Sequence, residues 1–464
     1  MRKEVAIVNC KAWTPEGIVD AVGIREGRVV SIGEEREVIS DLEGPKIVNL
    51  GGLWLLPGLH DCHIHLPSYG IRRLLWTDLR GCKTVSEVIS RLSRRKKENV
   101  IIGYGFGELD RLPTRSDLDR VSKEKPVVAV RVCGHLSVLN SKAMEITGLY
   151  SEKGIVRLDV SRVTSRLPPP SREDLRRAYE YVFSNLIEKG IVAVNYMANT
   201  SLFPRDLEVL SEIKPPVRIR VYVPFSNEVP KSNGPFEIKG VKVILDGSLG
   251  ARTAFLKEEY SDDPGNKGTL YLGEDELREI RKSYDGQMAV HAIGDGAIEI
   301  AVEVLRGRDR IEHFSLPSED SIELASKKKI IASIQPQFVS SDYWIPKRLG
   351  ARGKMAYPFK KMLDAGIIMC SGSDAPIEEI DPMRGIEILM EKGLTFEEAL
   401  RTYTLNGAYA TFEERERGEI EVGKLADMTI SKSPLGRTIG TVVGGEFHIK
   451  GGVLPHSESP LRLL

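Results

Sequence analysis

The chain carries no excess of either charge: lysine plus arginine and aspartate plus glutamate each total 66 in 464 residues, for a formal net charge of zero. Nothing in that balance points to nucleic acid or an anionic membrane, and a small molecule is the expected partner. No uninterrupted apolar run reaches the roughly 18 residues of a membrane span. Met1-Arg2-Lys3-Glu4 leads into alternating, strand-like sequence without a signal-peptide core, so a cytoplasmic protein is expected. Only five cysteines occur (Cys10, Cys62, Cys82, Cys133, Cys370), scattered and without a Cys-x-x-Cys pair. Such spacing argues against a disulfide framework and leaves reduced thiols. Glutamine is found only at 287, 335 and 337, against abundant Lys, Arg and Glu, a bias associated with proteins that work at high temperature.

What is present begins with Pro57-Gly58-Leu59-His60-Asp61-Cys62-His63-Ile64-His65, which follows the apolar stretch from Leu53 to Leu56. Side chains of an extended chain repeat every two residues, so His63 and His65 point the same way, roughly 6.5 to 7 Å apart along the backbone. Both rings can converge on one cation. Neutral imidazole suits zinc, iron, cobalt or nickel better than calcium or magnesium. A lone His-x-His is weak evidence, and its weight comes from what lies downstream.

Short apolar runs closing on polar or glycine residues occur at Leu53 to Leu59, Ile191 to Tyr196, Val217 to Val223, Val241 to Asp246, Met288 to Ala292, Arg310 to His313, Ile330 to Ile334 and Ile367 to Cys370. From the second onward most are separated by helix-like segments such as Ala297 to Leu305, Asp320 to Ser326 and Phe359 to Ala365. Eight strands alternating with helices predict an α/β protein built on a parallel (β/α)8 TIM barrel, whose chemistry sits at the C-terminal strand ends. The runs end accordingly: the first in His63 and His65, the fourth carrying Lys242 and Asp246, the fifth His291, the sixth His313, with Asp374 just beyond the eighth.

Residues 1–52 read as a β-meander, and 413–464 read similarly. Neither is apolar enough for its own core, so the two are expected to pair into a small composite β-sandwich beside a barrel of residues 53–412. The span at about 68–188, between the first two barrel strands, holds strand-like Val100 to Gly103 and Val127 to Val132 and is expected to be a structured insertion, a candidate lid and specificity element.

These residues together resemble the amidohydrolase superfamily of metal-dependent hydrolases, in particular the branch that includes the N-substituted formamide deformylases. The similarity rests on Pro-Gly-Leu-His-Asp-x-His-x-His at 57–65, Cys133-Gly134-His135 followed by Asn140-Ser141-Lys142-Ala143, Val241-Lys242 leading into Asp246-Gly247-Ser248-Leu249-Gly250, His291-Ala292-Ile293-Gly294-Asp295, Arg310-Ile311-Glu312-His313, Gln335-Pro336, Gly372-Ser373-Asp374-Ala375-Pro376 and Gly423-Lys424-Leu425-Ala426-Asp427. The resemblance implies a site for two divalent metal ions, zinc foremost, with iron, cobalt, nickel or manganese as alternatives. His63 and His65 would bind the more buried ion, His291 and His313 the more exposed one, and Lys242 would bridge them as a carbamate formed with carbon dioxide. Asp374 would be both ligand and general base, a metal-bound hydroxide attacking the carbonyl. His135 would face the site as a catalytic contact. The implied reaction is hydrolysis of an amide, formamide or cyclic amide C–N bond; ester or lactone hydrolysis, deamination on the same metals, or a non-catalytic binding scaffold are the alternatives.

Each role has a plainer rival. The histidines could be ordinary barrel residues, Lys242 could pair with Asp246 as a buried ion pair, Asp374 could be a turn residue before Ala-Pro, and His135 could make a structural hydrogen bond. Arg252, after Gly250, could bind an anionic substrate group. Asn195 and Tyr196 stand where relatives often carry a His-Asp pair, which would alter the pocket wall. The sequence leaves the oligomeric state open, a homodimer being one option because dimers are the commonest state of soluble enzymes.

Overall fold

The computed structural model describes residues 4–132, 134, 136–157, 160–226, 229–232 and 234–449. It divides into two compact units, one formed by the chain up to Leu66 and from Glu180 onward, the other by Pro67–Tyr179.

The first unit is built on eight parallel strands in sequence order: Leu59–Ile64, Ile191–Met197, Arg218–Pro224, Phe236–Ile244, Gln287–Ala292, Arg310–His313, Ile331–Ile334 and Met369–Ser371. Helices such as Asp295–Val304, Glu319–Lys327 and Phe359–Asp364 separate them, giving the (β/α)8 TIM barrel. Strands such as Ile191–Met197 and Ile331–Ile334 are buried along their whole length, as parallel strands covered on both faces are. First and last strands approach each other at their C-terminal ends, where the Asp374 amide donates to the His63 carbonyl at 2.7 Å and the His65 amide to the Ala375 carbonyl at 2.9 Å. The buried Asp61 carboxylate accepts from the amides of His63 (3.1 Å) and Ser373 (3.0 Å), pinning the same seam.

One expectation needs correction. The apolar run Leu53 to Leu59 is not a barrel strand: Trp54–Pro57 belongs to a six-stranded sheet, where it pairs with Met428–Ser431 on one side and with Lys11 and Ala12 on the other. The chain then passes Gly58, whose amide donates to the Asp427 carbonyl at 2.9 Å, and enters the barrel at Leu59. A Cβ on Gly58 would lie 2.6 Å from Val192, so only glycine permits this hand-over. The apolar run therefore serves two sheets in succession, and hydrophobicity alone does not mark the change. The fourth barrel strand also starts earlier than its apolar segment, at Phe236.

The six-stranded sheet and a four-stranded sheet of Arg28–Gly33, Ala21–Arg25, Glu4–Val8 and Lys46–Asn49 share one core drawn from both chain ends, including Ile7, Ile24, Leu50, Leu55, Met428 and Val442. The second unit has its own five-stranded sheet, with Thr77–Asp78, Ile101–Phe106 and Val127–Arg131 parallel and Ser137–Leu139 and Ile155–Val156 antiparallel to their neighbours. Its two faces carry separate apolar clusters, one around Leu92, Phe106 and Leu118, the other around Val128, Leu139 and Val163. No helix among the described residues is long and apolar enough to cross a membrane.

The barrel seam makes a testable demand on Gly372. A Cβ there would sit 2.3 Å from the His63 amide nitrogen and 2.9 Å from Asp61 Oδ1, against backbone that cannot move without parting the strands. Gly372→Ala is expected to lower stability by about 1–3 kcal/mol, the usual cost of overpacking a filled core, as read by urea denaturation.

Candidate metal centre

His63, Lys242, His291 and His313 lie on barrel strands one, four, five and six, and His65 and Asp374 just past strands one and eight. The strands bring all six to the C-terminal mouth. Ring centroids are 5.5 Å apart for His63 and His65, 5.0 Å for His63 and His313, and 4.5 Å for His291 and His313. Asp374 Oδ1 lies 3.4 Å from His63 Nε2 and 3.3 Å from His65 Nε2. One donor atom each of His63, His313 and Asp374 fall within 4.8 Å of one another.

Each imidazole is held from behind, which decides the nitrogen that faces the centre. Nδ1 of His63 bonds to Glu312 Oε2 at 2.5 Å, Nδ1 of His65 to the Met197 carbonyl at 2.7 Å and Nδ1 of His313 to Gln335 Oε1 at 2.7 Å. In His291 the arrangement is reversed, Nε2 meeting the Gly247 carbonyl at 2.9 Å. An acceptor behind the ring holds the proton on that side and leaves the lone pair on the other nitrogen. The donor set is thus Nε2 of three rings and Nδ1 of the fourth.

Protonation states agree with that role. Burial, reinforced by the nearby Lys242 charge, lowers the pKa of His63 and pushes that of His291 down to about 3; burial and the neighbouring His291, His63 and Lys242 hold His313 far below its ordinary value. All three are neutral at pH 7, with lone pairs free to donate. Burial works against ionisation of Asp374, but His63, His65 and Lys242 around it hold its carboxyl below the usual range. Lys242 Nζ is buried with no hydrogen-bond partner, and burial pushes its pKa down to about 8 against the pull of Glu312 and Asp374. Asp246 is not its counter-ion. That carboxylate accepts from the amides of Phe255, Ile293 and Gly294 at 2.9–3.1 Å and lies 3.5 Å from His291 Nε2.

An uncompensated buried amine is costly, and a pocket of neutral imidazole donors beside two carboxylates offers it nothing but charge. The same groups fit divalent metal ions: imidazole nitrogens, a carboxylate, and a lysine which, as a carbamate, becomes an anionic oxygen donor. Two site residues are also in the left-handed region, with φ of +76° at His313 and +54° at Asp374, conformations that cost of order 1–3 kcal/mol each and recur at functional sites.

Other residues fall elsewhere. Arg252 is engaged by Asp262 through Nε (3.0 Å) and Nη2 (2.9 Å), a carboxylate shared with Arg348. His135 lies outside the described residues. Asn195 and Tyr196 do not form a pocket wall: both are fully buried, Asn195 bonded to His60 Nε2 at 2.8 Å and the Tyr196 hydroxyl to Asp206. Glu312 and Gln335, which back His63 and His313, were not singled out by the sequence reading. Arg310 and Glu312, two residues apart in a short strand, are the available signal, since charges on a buried strand must find partners.

Linkage gives His291 a measurable signature. Between its folded pKa of about 3 and the unfolded value near 6.5, the unfolded chain binds a proton that the folded chain refuses. Its stabilising share is complete above about pH 6.5 and is lost as pH falls toward 3. Asp61 and Asp246, raised by burial to about 6 and about 7, act in the opposite sense, so the difference from a variant isolates the histidine. Metal-free His291→Gln is expected to gain on the metal-free parent by about 1.4 kcal/mol per pH unit below 6.5, in denaturation curves at pH 7 and pH 5.

Comparison with known proteins agrees with the geometry. Residues 46–438 match the model of the Amidohydrolase family. The Bacillus subtilis (strain 168) protein named "Putative amidohydrolase YtcJ" is 29% identical over 89% of this chain and 90% of its own length. N-substituted formamide deformylase of Arthrobacter pascens is 22% identical over 92% and 93%. The crystal structure of a metal-dependent hydrolase from Pyrococcus furiosus, described as uncharacterized, superposes with a TM-score of 0.83 at 31% identity, covering 93% of this chain and all of that one. With the matching model spanning most of the sequence and the barrel gathering its imidazoles at one mouth, the chain belongs to the amidohydrolase family and is a metal-dependent hydrolase.

Proposed function

We propose that this hydrolase cleaves a carbon–nitrogen bond of an amide, formamide or cyclic amide in a small molecule, using two divalent ions, zinc foremost. His63, His65, His291, His313, Asp374 and a carbamylated Lys242 would hold them. The observation that carries the proposal is the partnerless Nζ of Lys242, buried beside the neutral imidazoles of His63, His291 and His313, each hydrogen-bonded on the nitrogen away from the centre. A pKa near 8 leaves a share of that amine uncharged at neutral pH, the form that captures carbon dioxide. Bound ions would supply Lewis acidity toward the carbonyl oxygen and a water acidified toward neutral pH.

The chain's own groups do the rest. Asp374, ionised at neutral pH and within 3.4 Å of two imidazoles, takes the proton of the attacking water and delivers it to the leaving nitrogen, a general acid–base role worth about 10²–10⁴ in rate. Its left-handed backbone, fixed by the amide hydrogen bond to His63, aims the carboxylate at the ring pair. The neutral imidazoles stay neutral through the cycle because burial opposes their protonation. The four described cysteines are free, and with the balanced charge they support a cytoplasmic location as part of the same reading.

Four experiments test it. Elemental analysis is expected to return about two equivalents of metal per chain, and a chelator should abolish turnover of N-acyl and N-formyl compounds until zinc is restored. Metal without turnover of any amide, but with turnover of esters or aminated heterocycles, would move the reaction to those bonds. Asp374→Asn is expected to lower kcat by about 10²–10⁴, with the circular dichroism spectrum unchanged. Lys242→Ala should lose metal and activity together, and a short carboxylic acid added to it should return part of both; no return would count against a bridging carbamate.

A further inference from the structure

Behind the four imidazoles stand four different acceptors, and only at His63 is the hydrogen-bonded acceptor a carboxylate, Asp246 lying 3.5 Å from a His291 Nε2 that is bonded to the Gly247 carbonyl instead. His65 and His291 are backed by peptide carbonyls and His313 by the amide of Gln335, whereas His63 is backed by the Glu312 carboxylate at 2.5 Å, with His63 and Glu312 side chains 1% and 0% exposed. A carboxylate in such a place would ordinarily be neutralised by protonation. Arg310 prevents this. Its Nε lies 2.9 Å from Glu312 Oε1 and its Nη2 3.2 Å from Oε2, while the guanidinium is itself fixed by the Cys62 carbonyl (2.7 Å), Ser333 Oγ (2.9 Å) and the Tyr222 hydroxyl (3.2 Å). The Arg310 guanidinium, bound to both carboxylate oxygens, supplies the opposite charge that a buried carboxylate requires. Both carboxylate oxygens are occupied by Arg310 and His63, which leaves Glu312 no oxygen for a cation and makes it a positioning residue.

We propose that Glu312, clamped by Arg310, holds the proton of His63 on Nδ1 and makes His63 the strongest donor of the four imidazoles, so that metal bound through His63 is the last to leave the site. A charge-assisted hydrogen bond is about twice as strong as a neutral one, and it pushes electron density to the opposite nitrogen. The other three rings lack that push. The two ions expected at this centre are therefore unequal in affinity because of what stands behind their ligands. The inference rests on the metal-binding reading above and adds to it an order of release.

The test uses the full-length protein and Glu312→Gln, which keeps the shape of the side chain and an oxygen for both partners but removes the charge. Zinc titration of the metal-free parent is expected to resolve a tighter and a weaker class. In Glu312→Gln the tighter class should weaken by about 10–100-fold, the usual effect of losing such a partner, with the weaker class unchanged within about threefold on the same scale. A titration that superposes on the parent would overturn the proposal. A readout that needs no variant is the ¹⁵N spectrum of histidine-labelled, metal-free parent: a proton on His63 Nδ1 is expected, and one on Nε2 would overturn the assignment however the variant folds. Should the parent take up no zinc at all, the metal-dependent reading falls together with this one; zinc uptake with no effect of Glu312→Gln sinks the present inference alone.

Discussion

The hydrogen bond from the Asp374 amide to the His63 carbonyl ties the first barrel strand to the segment past the last one. Almost everything distinctive about the site depends on that join. It brings the carboxylate of one chain region against imidazoles some 310 residues away in sequence, a separation that only closure of the barrel spans. It also maintains a left-handed residue that would otherwise relax, and it fixes the spacing through which Asp61 reaches Ser373. Gly372 permits the approach by having no side chain to obstruct it.

Around this join the protein has arranged buried polarity in two distinct ways. Below the mouth, Arg310, Glu312, Ser333 and Tyr222 satisfy each other, so that charge inside the barrel is stable because every member has a partner. At the mouth the opposite holds: the Lys242 amine is buried without a hydrogen-bond partner. A fully satisfied layer supporting an unsatisfied one is what a preorganised ligand shell requires, since the supporting bonds stop the donors from collapsing onto one another.

How much of this was legible in the sequence depends on the range of the interaction concerned. His63 and His65 announce themselves by a period of two at a strand end, and His291 and His313 by their places at the ends of later apolar runs, all consequences of local geometry. The barrel follows from the alternation of the same runs. Lys242 could be picked out only through resemblance, because nothing local distinguishes an inward lysine on a strand from one paired with Asp246. The passage of Leu53 to Leu59 through two sheets was hidden for a similar reason: Trp54–Pro57 finds its partner Met428–Ser431 more than 370 residues on, and an apolar run does not say which sheet will claim it. Asn195 and Tyr196 looked like pocket residues from their position, yet their side chains are taken up by His60 and Asp206, contacts that period and propensity do not encode. Glu312 is legible only in part, because an Arg-x-Glu pair on a buried strand asks for a partner without saying that the partner is His63.

The hand-over at Gly58 has a further consequence. One unbroken backbone leaves the terminal sheet at Pro57 and, five residues beyond Gly58, presents the imidazole of His63. The tail strand Met428–Ser431 grips that backbone from its other side, so the two extremities of the polypeptide are not an ornament that could be trimmed away. They act as an anchorage: the extended segment that the tail strand holds runs straight on into the barrel strand that carries His63.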